Sequence, residues 1–307
     1  MVLQGHSSFS IVSPWRVLLL CVLLLSNTIH MVTSTSSIPQ KKFIGANWKC
    51  QLETVAEVDE MVLQLNRMWE GGWISSELTP SDKAAVELCV NPPYVFCDRV
   101  RACLHKDILV GSQNAFDARG PNMGNTGATT TNMLRNVGCD WVLLGHSDRR
   151  NNLGESDQLI SQKIRAALDA GMGVILTIGE LHSQRRWGRT LATLRKQLGV
   201  ASSVIRSDEW DKVVVAYEPV WAVGEGATPC SPEEAQRVNA ALRAFISKRV
   251  SPEAAAACRL TYTGSVSENN AAQYASLDDV DGFVVGRAGL DTTKLASIIR
   301  TLARNGE

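Results

Sequence analysis

Four short polar islands interrupt the apolar runs of this 307-residue chain: Asn47-Trp48-Lys49, Gly145-His146-Ser147, Glu218-Pro219-Val220-Trp221 and Gly264-Ser265. Each follows a stretch that reads as a β-strand. Between them they supply a lysine, a histidine, a carboxylate and a glycine-loosened backbone. A carboxylate can take a proton from carbon, an imidazole can polarise the neighbouring oxygen, and a fixed cation can stabilise the charge that develops there. Backbone N–H groups at a strand-end turn can cradle a phosphate. Together these types suit moving a proton next to a carbonyl on a small phosphorylated substrate.

Asn47 and Lys49 are separated by one residue, so in extended backbone they point to the same side. His146 follows the fourth strand-like run, where a neutral ring can polarise a carbonyl and pass protons between adjacent oxygens. Glu218 ends the sixth run. A carboxylate beside apolar residues, sealed from water by a lid, becomes a stronger base. Pro219, Val220 and Trp221 read as a stiff hinge, and Ala222, Val223, Gly224, Glu225 and Gly226 as a mobile tip.

The elements that must position these groups alternate along the chain. Apolar runs at 43–46, 86–90, 108–111, 141–144, 174–178, 212–216, 260–262 and 282–285 are separated by amphipathic stretches such as 55–69, 156–170, 189–198, 232–248 and 269–275. Val58, Met61, Val62 and Leu65 recur at helical spacing, giving one face that can pack on a sheet. Near-continuous apolar strands alternating with helices indicate a parallel sheet covered on both faces. The pattern predicts an α/β fold, a single (β/α)8 barrel over residues 41–307, in which active sites form at the C-terminal ends of the strands. Every island lies at that end of its run. A doubly wound open sheet would want a G-x-G-x-x-G turn after an early strand, and the sequence has none.

Thirty-one basic and 31 acidic residues leave a formal net charge of zero, so no global field points to a nucleic-acid or acidic-membrane partner. The first 40 residues differ: they hold no Asp or Glu, and Arg16 is their only Lys or Arg. Residues 17–25 are an unbroken apolar run, followed by a Ser/Thr-rich stretch. That is the pattern of a signal or targeting leader, and the run is shorter than the roughly 20 residues a bilayer span needs. Outside the leader stand Cys50, Cys89, Cys97, Cys103, Cys139, Cys230 and Cys258, an odd number without C-x-x-C. Buried free thiols in a reducing compartment are expected, rather than a disulfide framework or a metal site. A leader that passes through the endomembrane system into a plastid reconciles the two readings; the alternative is the cytoplasm.

The same islands, in this order, resemble the triosephosphate isomerase family over about residues 42–304. The family is itself a standard example of a neutral histidine electrophile facing a glutamate base. The resemblance implies Glu218 as the base, His146 as the electrophile, Lys49 as the charge-stabilising cation and Asn47 as a substrate-positioning group. The substrate would be a triose phosphate of glycolysis and gluconeogenesis, with no metal or cofactor. Phosphate contacts would come from the N–H groups of Gly224, Ser265, Gly286 and Arg287. Thr126, in the loop from Gly124 to Gly127, would reach into the neighbouring subunit of a homodimer and brace Asn47 and Lys49.

Some positions depart from the family pattern. Asp148 stands in place of a glutamate, which puts its contact with Lys49 in question. Thr263 and Arg287 replace glycines of the two phosphate loops. Thr263 resists a positive φ, and the Arg287 guanidinium either adds a phosphate contact or crowds the site. The lid's far end is slightly longer and carries Pro229, and Glu225 adds an anion near the phosphate. Ala128 replaces a glutamate and Thr177 a cysteine. An active isomerase is the expectation. The alternatives are a non-catalytic barrel that binds phosphorylated metabolites or a protein partner, and another phosphate-binding barrel enzyme.

Overall fold

The structure, a computed structural model, describes residues 40–71, 78–116, 125–224 and 227–305. The leader before Gln40, Gly124 of the dimer loop, and Glu225 and Gly226 of the lid lie outside the described residues.

Eight parallel strands close into a barrel in sequence order: β1 Lys42–Asn47, β2 Val86–Asn91, β3 Leu109–Ser112, β4 Trp141–Leu144, β5 Gly173–Ile178, β6 Val213–Tyr217, β7 Arg259–Tyr262 and β8 Gly282–Val285. β8 pairs with β1, Phe43 opposite Gly282 and Ala46 opposite Val285. Each strand starts within one residue of the apolar run read from the sequence.

Helices α1 Val55–Glu70, α2 Pro80–Ala85, α3 Cys97–Cys103, α4 Thr131–Asn136, α5 Asp157–Asp169, α6 His182–Arg186, α7 Thr190–Ser202, α8 Pro232–Arg249, α9 Pro252–Ala257, α10 Ala271–Ala275 and α11 Thr292–Arg304 surround the sheet. Their starts are chemically specified. Thr54 and Glu57 form a reciprocal capping box at the head of α1, and Ser231 caps α8 just before a proline in its first turn. The expected face of α1, Val58, Met61, Val62 and Leu65, is buried. Each such side chain contributes about 1.5–3 kcal/mol when fully removed from water.

The larger part of the core lies between strands and helices, and a smaller cluster of Phe43, Cys89, Trp141, Leu143, Ile175, Val214, Ala216 and Val284 lies apart from it. At the N-terminal end of β7 the Arg259 guanidinium lies 5.0 Å from the Phe43 ring and 5.2 Å from Trp141, and 3.4 Å from the Glu87 carboxylate. That end of the barrel is plugged by a charge stacked on aromatics and matched by a carboxylate. Cys89, Cys97, Cys139, Cys230 and Cys258 are buried free thiols as expected, but Cys50 and Cys103 are exposed. Each of those two lies outside the strands, where no packing covers it. No helix among the described residues is long and apolar enough to cross a membrane.

Candidate active site

β1 ends on Asn47, and its side-chain oxygen accepts the Lys49 N–H at 3.0 Å. The short loop of chain this closes puts Lys49 at φ +52°, a left-handed backbone that costs a non-glycine residue about 1–2 kcal/mol. Gln113 holds the strained segment by donating to the carbonyls of Lys49 (2.7 Å) and Asn91 (2.9 Å). The two residues do share a site, but not because the backbone is extended: Lys49 has already turned out of the strand, and the Asn47 side chain supports that turn.

The Lys49 ammonium lies 3.1 Å from the Asp148 carboxylate. The contact placed in question by the shorter Asp148 is therefore present; the flexible four-carbon stem of lysine spans the missing methylene. Asp148 opens a single π-helical turn, Asp148–Asn152, directly after the histidine loop.

Gly145 precedes His146 at φ +76°, and a Cβ there would fall 2.7 Å from both the Thr177 carbonyl and the Arg150 guanidinium. Only glycine lets the chain turn at this point and aim His146 across the barrel mouth. The His146 Nδ1 accepts the Asp148 N–H at 3.1 Å. The same Nδ1 lies 3.3 Å from the Asp148 carboxylate; with Nδ1 accepting the backbone N–H, the ring proton is assigned to Nε2, which faces Glu218 3.2 Å away.

Glu218 follows β6 and is 1% exposed. Its carboxylate is held by Ser147, whose N–H donates to Oε2 (2.9 Å) and whose hydroxyl donates to Oε1 (2.8 Å). A side chain at Gly179 would strike the Glu218 carbonyl, so the glycine after β5 is what lets the two strand ends close up. The sequence reading gives Ser147 no role of its own; its place beside the histidine was the available signal.

The near end of the expected lid is tied down by groups that sequence reasoning missed. Trp221, in the 3-10 turn Val220–Ala222, donates its indole N–H to Glu180 Oε1 at 2.8 Å. Tyr217 and Thr190 donate to the same oxygen at 3.2 Å. Burial pushes the Glu180 carboxyl up from its ordinary value, and the donors, Trp221 foremost, pull it partly back. The Arg185 guanidinium sits 3.4 Å over the Trp221 ring. Ser265 donates its hydroxyl to the Ala222 carbonyl (2.9 Å), joining the loop after β7 to the lid. Glu180 stands just past β5 much as Glu218 stands just past β6, and that parallel could have drawn attention to it.

Asn47, Lys49, His146, Glu218, Gly224, Ser265, Gly286 and Arg287 all line one cavity of about 800 Å³ at the C-terminal ends of the strands. Asp148 backs it through Lys49. Thr126 is exposed and does not line it. Thr263 also lines it, with a buried hydroxyl that has no partner among the described residues. Its φ is not positive, so this conformation carries none of the strain a β-branched residue would suffer in the left-handed region. Among the described residues no acceptor takes the Ser265 N–H.

A closed eight-stranded parallel barrel, with a histidine, a buried carboxylate and an anchored lysine at its C-terminal mouth, is the framework of an acid–base enzyme for small anionic substrates. The triosephosphate isomerase family profile matches residues 42–302, and the chain belongs to that family. A chloroplastic triosephosphate isomerase of Arabidopsis thaliana is 38% identical over 262 residues, spanning 85% of this chain and 78% of its own length. A cytosolic triosephosphate isomerase of Stellaria longipes is 41% identical over 263 residues, spanning 86% and 96%. A triosephosphate isomerase of Paracoccidioides lutzii is 38% identical over 253 residues, spanning 82% and 95%.

Proposed function

We propose that the protein interconverts dihydroxyacetone phosphate and D-glyceraldehyde 3-phosphate by proton transfer through an enediol(ate). Glu218 removes the proton from carbon. His146, donating from Nε2, polarises the carbonyl and moves protons between the adjacent oxygens. Lys49, held by Asp148, stabilises the developing charge, and Asn47 positions the substrate while its side chain supports the Lys49 turn. Gly224, Ser265, Gly286 and Arg287 offer N–H groups to the phosphate.

The observation that carries this reading is the facing pair of Glu218 and a histidine whose Nδ1 is already occupied as an acceptor. Such a histidine donates to an oxygen without giving up a full proton first. The Glu218 carboxylate must leave Ser147 to reach a substrate carbon. Lid movement supplies that displacement, since Glu218 runs directly into the hinge; the family is itself a standard example of a lid that gates chemistry. Asp148 keeps its contact with Lys49 and Thr263 is unstrained, so neither departure favours a binding-only barrel.

The test is a coupled assay on the purified protein beside Glu218→Asp. Retracting the carboxylate by about 1 Å is expected to lower kcat on the order of a hundredfold. Equal turnover in the two would remove Glu218 from the role of base, and no turnover in a folded wild-type protein would remove the isomerase.

Residues 41–307 form the working domain in this proposal, and residues 1–40 form a leader removed on the way to a plastid through the secretory route. Relatives named chloroplastic and relatives named cytosolic both exist, and the acid-free leader with its short apolar run favours the organelle. The enzyme works as a homodimer in which Thr126 reaches the partner's site. An active monomer on gel filtration, or diffuse cytosolic signal from the leader fused to a fluorescent protein, would overturn the respective proposal.

A further inference from the structure

Among the described residues, one cation lining the cavity has no carboxylate partner. Of the basic side chains lining it, Lys49 faces the Asp148 carboxylate at 3.1 Å and Lys294 faces Glu268 at 3.9 Å. Glu218 is satisfied by the Ser147 N–H and hydroxyl. Arg287 lines the same cavity, is exposed, and makes no ion pair or side-chain hydrogen bond among the described residues. It belongs to the short turn Arg287–Leu290 that follows β8, beside Gly286. Its φ is not positive, so an arginine is accommodated there without backbone strain.

We infer that the Arg287 guanidinium is a substrate-binding group, contacting the phosphate in addition to whatever the backbone supplies. The inference rests on the proposed isomerase reading for the identity of the substrate. A planar guanidinium presents paired donors that match two phosphate oxygens, and it remains charged at any working pH. Because it is exposed, it stays hydrated until the anion arrives, so part of its attraction is lost to solvent screening. The contact is made to the non-reacting end of the substrate, equally in ground and transition states. It therefore acts on KM and on association rather than on the chemical step. An uncommitted cation at the mouth of the cavity also makes capture of a dianion sensitive to ionic strength.

The experiment compares wild type with Arg287→Gln, Arg287→Gly and Arg287→Lys. Expected for Gln and Gly is a rise in KM for glyceraldehyde 3-phosphate of about five- to twenty-fold with kcat little changed, partly restored by Lys. The inhibition constant of inorganic phosphate should rise by a similar factor, and the increase of KM with salt should flatten.

If KM and phosphate inhibition at low salt are the same in Gln and Gly as in wild type, the guanidinium does not touch the phosphate. A fall in KM would show that it crowds the site, which also overturns the inference. Direct titration of inorganic phosphate into wild type and Arg287→Gln keeps the two proposals apart. Weaker phosphate binding in the variant supports the Arg287 contact even if the isomerase assay fails, and equal binding sinks it even if the assay succeeds.

Discussion

The two halves of the barrel mouth are built differently. After β1 and β4, the functional side chains hold one another: Asn47 supports the Lys49 turn, Lys49 meets Asp148, and the Asp148 backbone fixes the His146 tautomer. After β6, Glu218 joins that set through Ser147; the rest of the mouth beyond β6, β7 and β8 consists of a hinge, backbone N–H groups and an exposed arginine. Among the described residues its side-chain ties include Trp221 to Glu180, Ser265 to Ala222 and Asn270 to the Ser265 carbonyl. On the proposed mechanism the difference follows from the work each half does. Proton transfer requires atoms placed within a fraction of an ångström, so its groups are interlocked. A phosphate needs donors that any residue's backbone can supply, so Thr263 and Arg287 can stand where the family carries glycine.

If the interlocked half is the chemical one, its loss should be the most damaging. His146→Gln keeps a polar side chain in the loop but removes the ring proposed to polarise the carbonyl and shuttle protons. Loss of a positioned acid–base group costs about a hundred- to ten-thousand-fold in rate. The expected result is a fall in kcat of that order with KM nearly unchanged, measured by the coupled assay. A fall of less than about tenfold would break the comparison, placing the chemistry outside the interlocked half.

The interlocked half was also the more legible in the sequence. Strand-end placement of Asn47, Lys49, His146 and Glu218 follows from apolar runs whose length and alternation with helices leave little choice of fold. What the sequence could not convey is how those residues are held. The left-handed turn at Lys49 looks like extended chain until its Asn47 partner is seen. Ser147 as the resting partner of Glu218 and Glu180 as the anchor of Trp221 depend on neighbours 71 and 41 residues away. Such contacts are set by barrel closure, and local pattern carries no trace of them. Asp148 teaches the converse. A substitution that looks damaging in the one-dimensional chain is absorbed by a flexible lysine across the site.

The hinge offers a smaller effect that sharpens the comparison. Trp221→Phe keeps a ring beneath Arg185 but removes the N–H that donates to Glu180. The latch holding the near end of the lid is then weakened, and KM and kcat should move together, by roughly three- to tenfold, as lid mutations commonly do; this family is itself a standard case. The sign of the accompanying pH effect is fixed by Glu180. Burial raises its folded-state pKa above the unfolded value. The ionised carboxylate is thus the disfavoured form in the fold: its cost is absent below the unfolded pKa and appears as pH rises through the folded one. Removing a donor raises that folded pKa further and enlarges the cost. Trp221→Phe should therefore melt close to wild type near pH 4 and fall progressively below it toward pH 8, as followed by circular dichroism. A melting difference that shrinks with rising pH would show that the indole N–H does not support the charged Glu180. The lid's near end would then be held by the Arg185 stacking and the Ser265–Ala222 hydrogen bond.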